Sequence, residues 1–385
     1  MVTFFKRSYR NLVQHLDPSW RRTLIAFFGL RIISSLWFSL IQAMGLPQAA
    51  SGIPALEGVQ PITTGFRGLF VDVWLRWDSV HYLRIAQLGY AGDVRSGFFP
   101  LYPLLGRAVG WLFGGDAWMG LLLVSNLAAL LSFYLLDHWM VALGREEQAP
   151  LALAGLALFP TAFFLVAGYP HSLLLLLILL GIWSTASGHW GLALITGLAA
   201  GLTHSTALPL SIVFILWPSP RRALGRFLAA LGPPLGMGLF LSWRIAAGYP
   251  DFSELLRSIW GRQWIAPWIA LVQAQEHLGW PVLLLRSWPN ILIAVVAIIA
   301  IYWAAKNVPL QHAAYQGGLV LLLLATGTQN EFLAGFGRYA LSGYPLFAAL
   351  PAFFGSGRRR FLAIIISGAI QLYLAGLFVL WAFIG

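Results

Sequence analysis

The stretch Arg76-Trp77-Asp78-Ser79-Val80-His81-Tyr82, followed by Gly89-Tyr90 and Phe98-Phe99-Pro100-Leu101-Tyr102-Pro103, decides the fold. It is a polar and aromatic interval set between long apolar runs. It therefore places a carboxylate beside a membrane surface, where a substrate carried on a lipid can reach it. The runs around it fix the class. The chain of 385 residues is 59% hydrophobic and only 10% charged, with mean hydropathy +0.76, whereas a soluble domain carries about 25% charged residues. Several runs approach the ~20 apolar residues that cross a bilayer. Helices satisfy their own backbone polar groups in lipid, so the sequence reads as an all-α polytopic membrane protein. The 18 Trp, 12 Tyr and 26 Phe suit aromatic belts at the two interfaces. The lack of Cys excludes disulfides and thiolate metal sites. The net charge of +11 sits between the runs, where it sets orientation and meets anionic lipid headgroups rather than nucleic acid.

Working outward, the apolar runs predict about eleven transmembrane helices, at 23–44, 119–143, 150–168, 171–187, 189–203, 206–218, 223–247, 282–304, 312–327, 339–354 and 361–384. The basic opening (Lys6, Arg7, Arg10, Arg21, Arg22) leads straight into the first run without a separate cleavable signal. With the N-terminus in the cytoplasm, Arg145, Arg221, Arg222, Arg226, Lys306 and Arg358-Arg359-Arg360 fall on the cytoplasmic side, as the positive-inside rule requires. The intervals 45–118 and 248–281 then lie outside. The region 189–218 is short for two spans, and it reads as two short helices broken near Thr203-His204-Ser205 and lining a cavity; one long tilted helix is the alternative. In the first outer loop, 45–118, Gly45 to Gly68 reads as loop, and Val71, Trp74, Leu75 and then Tyr82, Leu83, Ile85, Ala86 read as short interfacial helices. Gly89 is a C-cap, and Pro100 and Pro103 break the next stretch. Two modules are expected: 1–225 with the catalytic loop 45–118, and 226–385, which completes the site.

Asp78 is the candidate base, since deprotonating an attacking hydroxyl needs a carboxylate within hydrogen-bond reach. It also suits an N-cap for the helix that follows, and both roles can coexist. On that helix His81 and Tyr82 fall near Asp78 at i+3 and i+4, as substrate contacts or, for His81, as a plain surface residue. Asp93, in Gly92-Asp93-Val94, has the sequence of a turn. Asp72 and Asp78 are six residues apart with no Asp-x-Asp, a poor oxygen cluster for a divalent metal, and neither metal nor cofactor is expected. Tyr169-Pro170-His171-Ser172, Thr203-His204-Ser205-Thr206 and Gln329-Asn330-Glu331 return polar groups toward the face of Asp78, or simply turn the chain between helices. Arg338, at the start of a span, can hold a phosphate bidentately or anchor the interface by snorkelling. Arg31, Arg244 and Arg286 lie at membrane depth, where ionisable groups are costly.

The run from Arg76 to Tyr82, with Ile85-Ala86, Gly89-Tyr90 and Phe98 to Leu104, resembles the PIG-V family of mannosyltransferases. Phe159-Pro160-Thr161-Ala162-Phe163-Phe164 running to Tyr169-Pro170-His171-Ser172-Leu173 is similar to a second family element, and Arg338-Tyr339-Ala340-Leu341 with Tyr344-Pro345-Leu346-Phe347 to a motif of bacterial relatives. The resemblance implies a GT-C glycosyltransferase fold with a catalytic Asp in the first outer loop, the place Asp78 holds. It implies an inverting mannosyltransferase that needs no metal and takes its sugar from a polyprenyl-phosphate donor on the non-cytoplasmic face. Asp78 is then catalytic, and Arg338, His81, Tyr82, Trp77, Asp93, Tyr169, His171 and His204 bind substrate. Phe159, His171 and Ser172 depart from the family's Asn, Ser and acid, and Thr203-His204-Ser205-Thr206-Ala207 departs from an Arg-Ser-Asn-Gly-like element. These departures bear on the acceptor, a glycolipid or protein. A chain shorter than its eukaryotic relatives implies a prokaryotic plasma-membrane enzyme, working among membrane lipids and with room for a partner subunit. The competing class is a transporter or flippase of a lipid-linked sugar. Against it, no pair of interrupted spans recurs in matching halves, and the polar groups gather on one face.

Overall fold

The computed structural model describes residues 17–47, 65–219, 222–328 and 331–382. Lys6, Arg7, Arg10, most of the Gly45–Gly68 loop, Arg221, Gln329 and Asn330 lie outside the described residues. The described chain is helical apart from one two-residue antiparallel ladder, which the all-helical reading did not foresee. In order come α1 (Pro18–Ala43), α2 (Gly65–Phe70), α3 (Asp78–Leu88), α4 (Leu101–Gly110), α5 (Ala117–Ala142), α6 (Ala149–Ala157), α7 (His171–Ala186), α8 (Trp190–Gly201), α9 (Leu210–Leu216) and α10 (Ala223–Ala246). They are followed by α11 (Phe252–Trp260), β1 (Gln263–Trp264), α12 (Pro267–Leu278), α13 (Trp280–Asn307), α14 (Leu310–Leu324), β2 (Thr326–Gly327), α15 (Phe336–Tyr339), α16 (Tyr344–Phe354) and α17 (Gly357–Val379).

The described parts of the apolar runs are largely helical, and among the described residues α1, α5, α10, α13 and α17 are long and apolar enough to cross a membrane by themselves. The other runs form shorter helices, and the expected span 150–168 is α6 followed by a 3₁₀ turn at Ala162–Leu165. Among the described residues five long helices stand with shorter apolar ones packed among them. Local sequence sets several boundaries. Asp17 caps α1 and Asp116 caps α5, each accepting backbone N–H groups of the first turn. Gly89 ends α3 at φ +81°, as expected of a C-cap glycine. Pro100 and Pro103 do the reverse of what was expected: they open α4, where a missing N–H costs nothing. The last residues of the presumed loop, 65–68, are helical in α2.

The region 189–218 is a half-depth hairpin. Gly197 and Gly201 of α8 face Gly232 and Gly236 of α10, and a Cβ at any of them would meet the other helix. These two Gly-x-x-x-Gly faces let the backbones touch, the usual close-packing device of membrane helices. Trp190 lies by Gly225 and Leu202 by Gly236, so α8 and α10 run parallel. Ser211 Oγ donates to Ala230 O at 2.7 Å and Arg226 Nη1 to Trp217 O at 2.9 Å, so α9 returns antiparallel. The chain thus reverses at Thr203-His204-Ser205, and the single tilted helix is excluded. Because α10 runs on from Gly236 to Ala246, the turn stops about 15 Å short of its end at the α-helical rise.

The bundle has two chemically distinct ends. At one, Arg22 pairs with Asp137 at 2.7 Å and with Glu146 at 3.2 Å, Arg145 Nη2 donates to Asn307 O, and Arg222 Nη1 donates to Gly188 O. Trp37 Nε1 of α1 donates to Leu372 O, and Arg76 bridges Gln42 of α1 and Val379 O, so α17 runs parallel to α1 and brings Arg358-Arg359-Arg360 to that same end. At the other end stand Asp78, the Arg67–Asp72 and Arg67–Asp116 pairs, and the segment 248–281. Among the membrane-depth arginines, Arg31 donates to Val166 O and stacks on Trp74, Arg244 donates to Ser96 O, and Arg286 lies on the exposed surface of α13.

Cysteines introduced at Glu147 and at Glu276, both exposed and at opposite ends, should label from opposite faces of sealed vesicles. The chain has no native Cys to confuse the readout. Labelling of both from the same face would contradict this topology.

Candidate active site

The site grows from a strained turn. Trp77 has φ +55° and ψ −127° and occupies the N-cap position of α3, an uncommon region for a bulky residue and one that persists only where neighbours enforce it. The enforcing group is Tyr169. Its hydroxyl donates to Arg76 O at 3.0 Å and accepts from Asp78 N at 3.1 Å, so one oxygen clamps both sides of Trp77. Tyr169 is itself held, because Ser125 Oγ donates to Tyr169 O at 2.9 Å while Arg31 and Asn126 both donate to Val166 O. The irregular segment after α6 is thus pinned at depth and delivers a phenol to the start of α3.

Asp78 is the first residue of α3, not its cap, and its carboxylate bonds no helix N–H. The cap reading is corrected. Asp78 Oδ2 instead accepts from Arg338 Nη1 at 2.7 Å, with the two side chains 23% and 13% exposed. Arg338 is therefore enclosed and paired, not snorkelling at an interface. Its backbone is fixed through the preceding residue: Gly337 N donates to Asn290 Oδ1 at 2.9 Å, and Gly337 O accepts from Thr161 Oγ1 at 2.8 Å. Asn290 in turn donates to the buried Glu331 at 2.9 Å. Arg338 Nη2 also donates to Tyr339 Oη at 3.1 Å.

This pair stands in the wall of a cavity of 630 Å³. Asp78, Tyr82, Tyr169, His171, His204, Arg338 and Tyr339 share it, with the hairpin turn at His204 as part of its wall. His204 packs on Tyr339 at 4.8 Å between centroids, and His171 on Tyr339 at 5.7 Å. Met237, Leu241 and Ile245 of α10 and Leu322 and Leu323 of α14 form an apolar side. Since α9 fills only part of the depth between these two helices, the remainder of that side belongs to the cavity. Four arginines (Arg244, Arg257, Arg262, Arg338) face it against three carboxylates (Asp78, Asp251, Glu254).

Three of the predicted site residues lie elsewhere. Trp77 packs on Trp381 at 5.7 Å and shapes the turn instead of lining the cavity. His81 stacks on Phe98 at 5.1 Å, and burial pushes its imidazole below the usual range, so it is neither a surface residue nor a cavity group. Asp93 caps the turn at Val94–Gly97 by accepting from Arg95 N at 2.9 Å, and the Arg95 guanidinium holds its carboxyl below the usual range. This is turn chemistry. Tyr169 lines the cavity, but its hydroxyl is committed to backbone. Sequence reasoning quoted Thr161 and Tyr339 only as members of motifs, without a role in the site, and missed Arg262 and Asn290. For Asn290 the signal was a lone Asn next to Pro289 inside an apolar run. Among the described residues, no three His, Asp or Glu gather as a metal-binding group.

Comparison with known proteins meets this geometry. Residues 31–218 match the family model described as mannosyltransferase (PIG-V). GPI alpha-1,6-mannosyltransferase 2 of Cricetulus griseus is 30% identical over 223 residues, which are 52% of this chain and 43% of that protein. The match thus spans less than half the length of this curated relative. The crystal structure of the Archaeoglobus fulgidus oligosaccharyltransferase tethered with an acceptor peptide overlays 94% of this chain and 56% of its own, with a TM-score of 0.40 and 10% identity. The segment that matches this family model, 31–218, contains Asp78, Tyr169, His171 and His204.

Proposed function

We propose that the chain is an inverting glycosyltransferase of GT-C type, by its family a mannosyltransferase, acting on the non-cytoplasmic face of a prokaryotic plasma membrane. It moves a sugar from a polyprenyl-phosphate donor to a hydroxyl of a lipid or protein acceptor. The observation that carries this reading is the Asp78–Arg338 pair, which sets a carboxylate and a guanidinium 2.7 Å apart in a cavity with one apolar side. The carboxylate takes the proton of the acceptor hydroxyl. The hydroxyl oxygen attacks the anomeric carbon from the face opposite the phosphate, and the C–O bond to the phosphate breaks. The guanidinium stabilises the charge that develops on the leaving polyprenyl phosphate. The prenyl chain follows Met237, Leu241, Ile245, Leu322 and Leu323 into the bilayer. On this reading the modules 1–225 and 226–385 each supply one member of the pair. The test is release of polyprenyl phosphate, with transfer of the sugar, when the purified protein in vesicles is given a glycosyl polyprenyl phosphate. Passage of the intact donor across the bilayer without transfer would make the chain a flippase instead.

Asp78→Asn keeps an acceptor for Arg338 and disturbs no cap, so thermal stability should stay near wild type while transfer falls by ~10²-fold or more, the range of general-base catalysis. Near wild-type transfer would remove Asp78 from the base role. EDTA should leave transfer intact, and its abolition with restoration by Mn²⁺ would contradict a metal-free mechanism.

Arg338→Lys offers a point charge where a fork now reaches Asp78 and Tyr339 together. The apparent donor affinity should drop in Arg338→Lys and drop further in Arg338→Ala, with acceptor affinity largely unchanged. An Arg338→Lys variant with unchanged donor affinity would return Arg338 to a structural role.

A further inference from the structure

Arg338 is not alone. Arg262 follows the left-handed Gly261 (φ +62°) that ends α11, and its own N–H donates to Leu256 O at 3.1 Å. The next residues form the β1–β2 ladder, Gln263 opposite Gly327 and Trp264 opposite Thr326, so the position of Arg262 is fixed by backbone. Its Nη1 donates to Tyr339 Oη at 3.3 Å, the same oxygen that accepts from Arg338 at 3.1 Å, and its Nη2 donates to Ala334 O at 3.0 Å. A Cβ at Gly335 would stand 3.2 Å from Arg262 Nη2 and 3.3 Å from Arg338 Nε. Two guanidiniums therefore converge around one phenol within two hydrogen-bond lengths of each other, packed so closely on Gly335 that a Cβ there would also clash with the Tyr339 ring at 2.7 Å.

The charges do not balance. No carboxylate among the described residues forms an ion pair with Arg262, and Arg338 has only Asp78. Arg338 Nε is buried without any acceptor. Two like charges this close repel in a medium of reduced dielectric, and a buried donor without an acceptor is costly. One anionic group with several oxygens would answer both. The other cavity arginines are already engaged, Arg257 by Glu254 at 2.6 Å and Arg244 by Ser96 O at 2.6 Å.

We infer that Arg262 and Arg338 form a two-arginine subsite for the phosphate group of the lipid-linked substrate, a diester in the glycosyl donor and a monoester in the released polyprenyl phosphate, and that Asp78 competes for this subsite by holding Arg338. This rests on the catalytic reading above and adds an order to it. A phosphate entering between the guanidiniums competes with Asp78 for Arg338, so donor binding releases the carboxylate for the acceptor hydroxyl. Without donor, Asp78 stays latched, and water is not activated in an unproductive site. A phosphate carried on a prenyl chain and a free one share the chemistry of the phosphate oxygens.

The test is isothermal titration of the full chain in nanodiscs with two probes, farnesyl phosphate and inorganic phosphate. Arg262→Gln should weaken the binding of whichever probe wild type takes by about tenfold or more, the loss expected for one charge-assisted hydrogen bond. Asp78→Asn should tighten it, because the competitor for Arg338 has lost its charge. That sign separates a subsite from simple structural damage, since a merely destabilised protein does not bind more tightly. Arg262→Lys should restore binding in part. Preference for farnesyl phosphate identifies a lipid-borne ligand, and equal binding of both identifies the headgroup alone as the ligand. Unchanged binding in Arg262→Gln, weaker binding in Asp78→Asn, or no binding of either probe by wild type would each overturn the inference. If wild type transfers sugar yet Arg262→Gln binds normally, the subsite is wrong and the enzyme reading stands. If the probes bind as described but no sugar is transferred, the reverse holds.

Discussion

A single ion pair between residues 260 positions apart, Asp78 and Arg338, closes the site and joins the early part of the chain to the late part. Each member of the pair lines the cavity wall, where its charge needs a partner whenever the other is drawn away. Both partners are therefore held by their own scaffolds. Tyr169 clamps the turn under Asp78, while Asn290 and Thr161 fix the peptide before Arg338. Helices that look like passive membrane spans, α5 through Ser125 and α13 through Asn290, turn out to position the reactive groups.

The half-depth hairpin supplies the second constraint. Because α8 packs backbone to backbone on α10 through paired Gly-x-x-x-Gly faces, the chain can reverse at His204 inside the bundle. The result is a cavity with polar groups in its wall and leucines along one side. A lipid-linked substrate needs both surfaces at once, one for the phosphate and sugar and one for the chain that carries them.

Much of this was legible in the sequence, and for physical reasons. Helices came from apolar runs, which membranes demand in near-unbroken form. The break at Thr203-His204-Ser205 followed from a run too short for two spans, and the two ends of the bundle followed from the clustering of arginines. Asp78 and Arg338 stood out because charge is rare in such a chain. What could not be read was pairing over long distance. An Asp ahead of a helical run has the local signature of a cap, and only the approach of α15 shows that its carboxylate faces a guanidinium. His81 was read as a substrate contact or a surface residue because nothing nearby in sequence announces Phe98 as its cover. Arg262 sits in a stretch of ordinary interfacial composition and gains its meaning from Tyr339, 77 residues later. Pro100 and Pro103 were read as breakers when their place in the first turn made them starters.

The most direct measurement is an experimental structure of the chain in a lipid nanodisc with a glycosyl polyprenyl phosphate bound. The account predicts the phosphate between Arg262 and Arg338, the prenyl chain along Met237, Leu241 and Leu322, and the Asp78 carboxylate turned away from Arg338 toward the face of the anomeric carbon opposite the phosphate. A phosphate bound elsewhere, with the Asp78–Arg338 pair still closed, would contradict it.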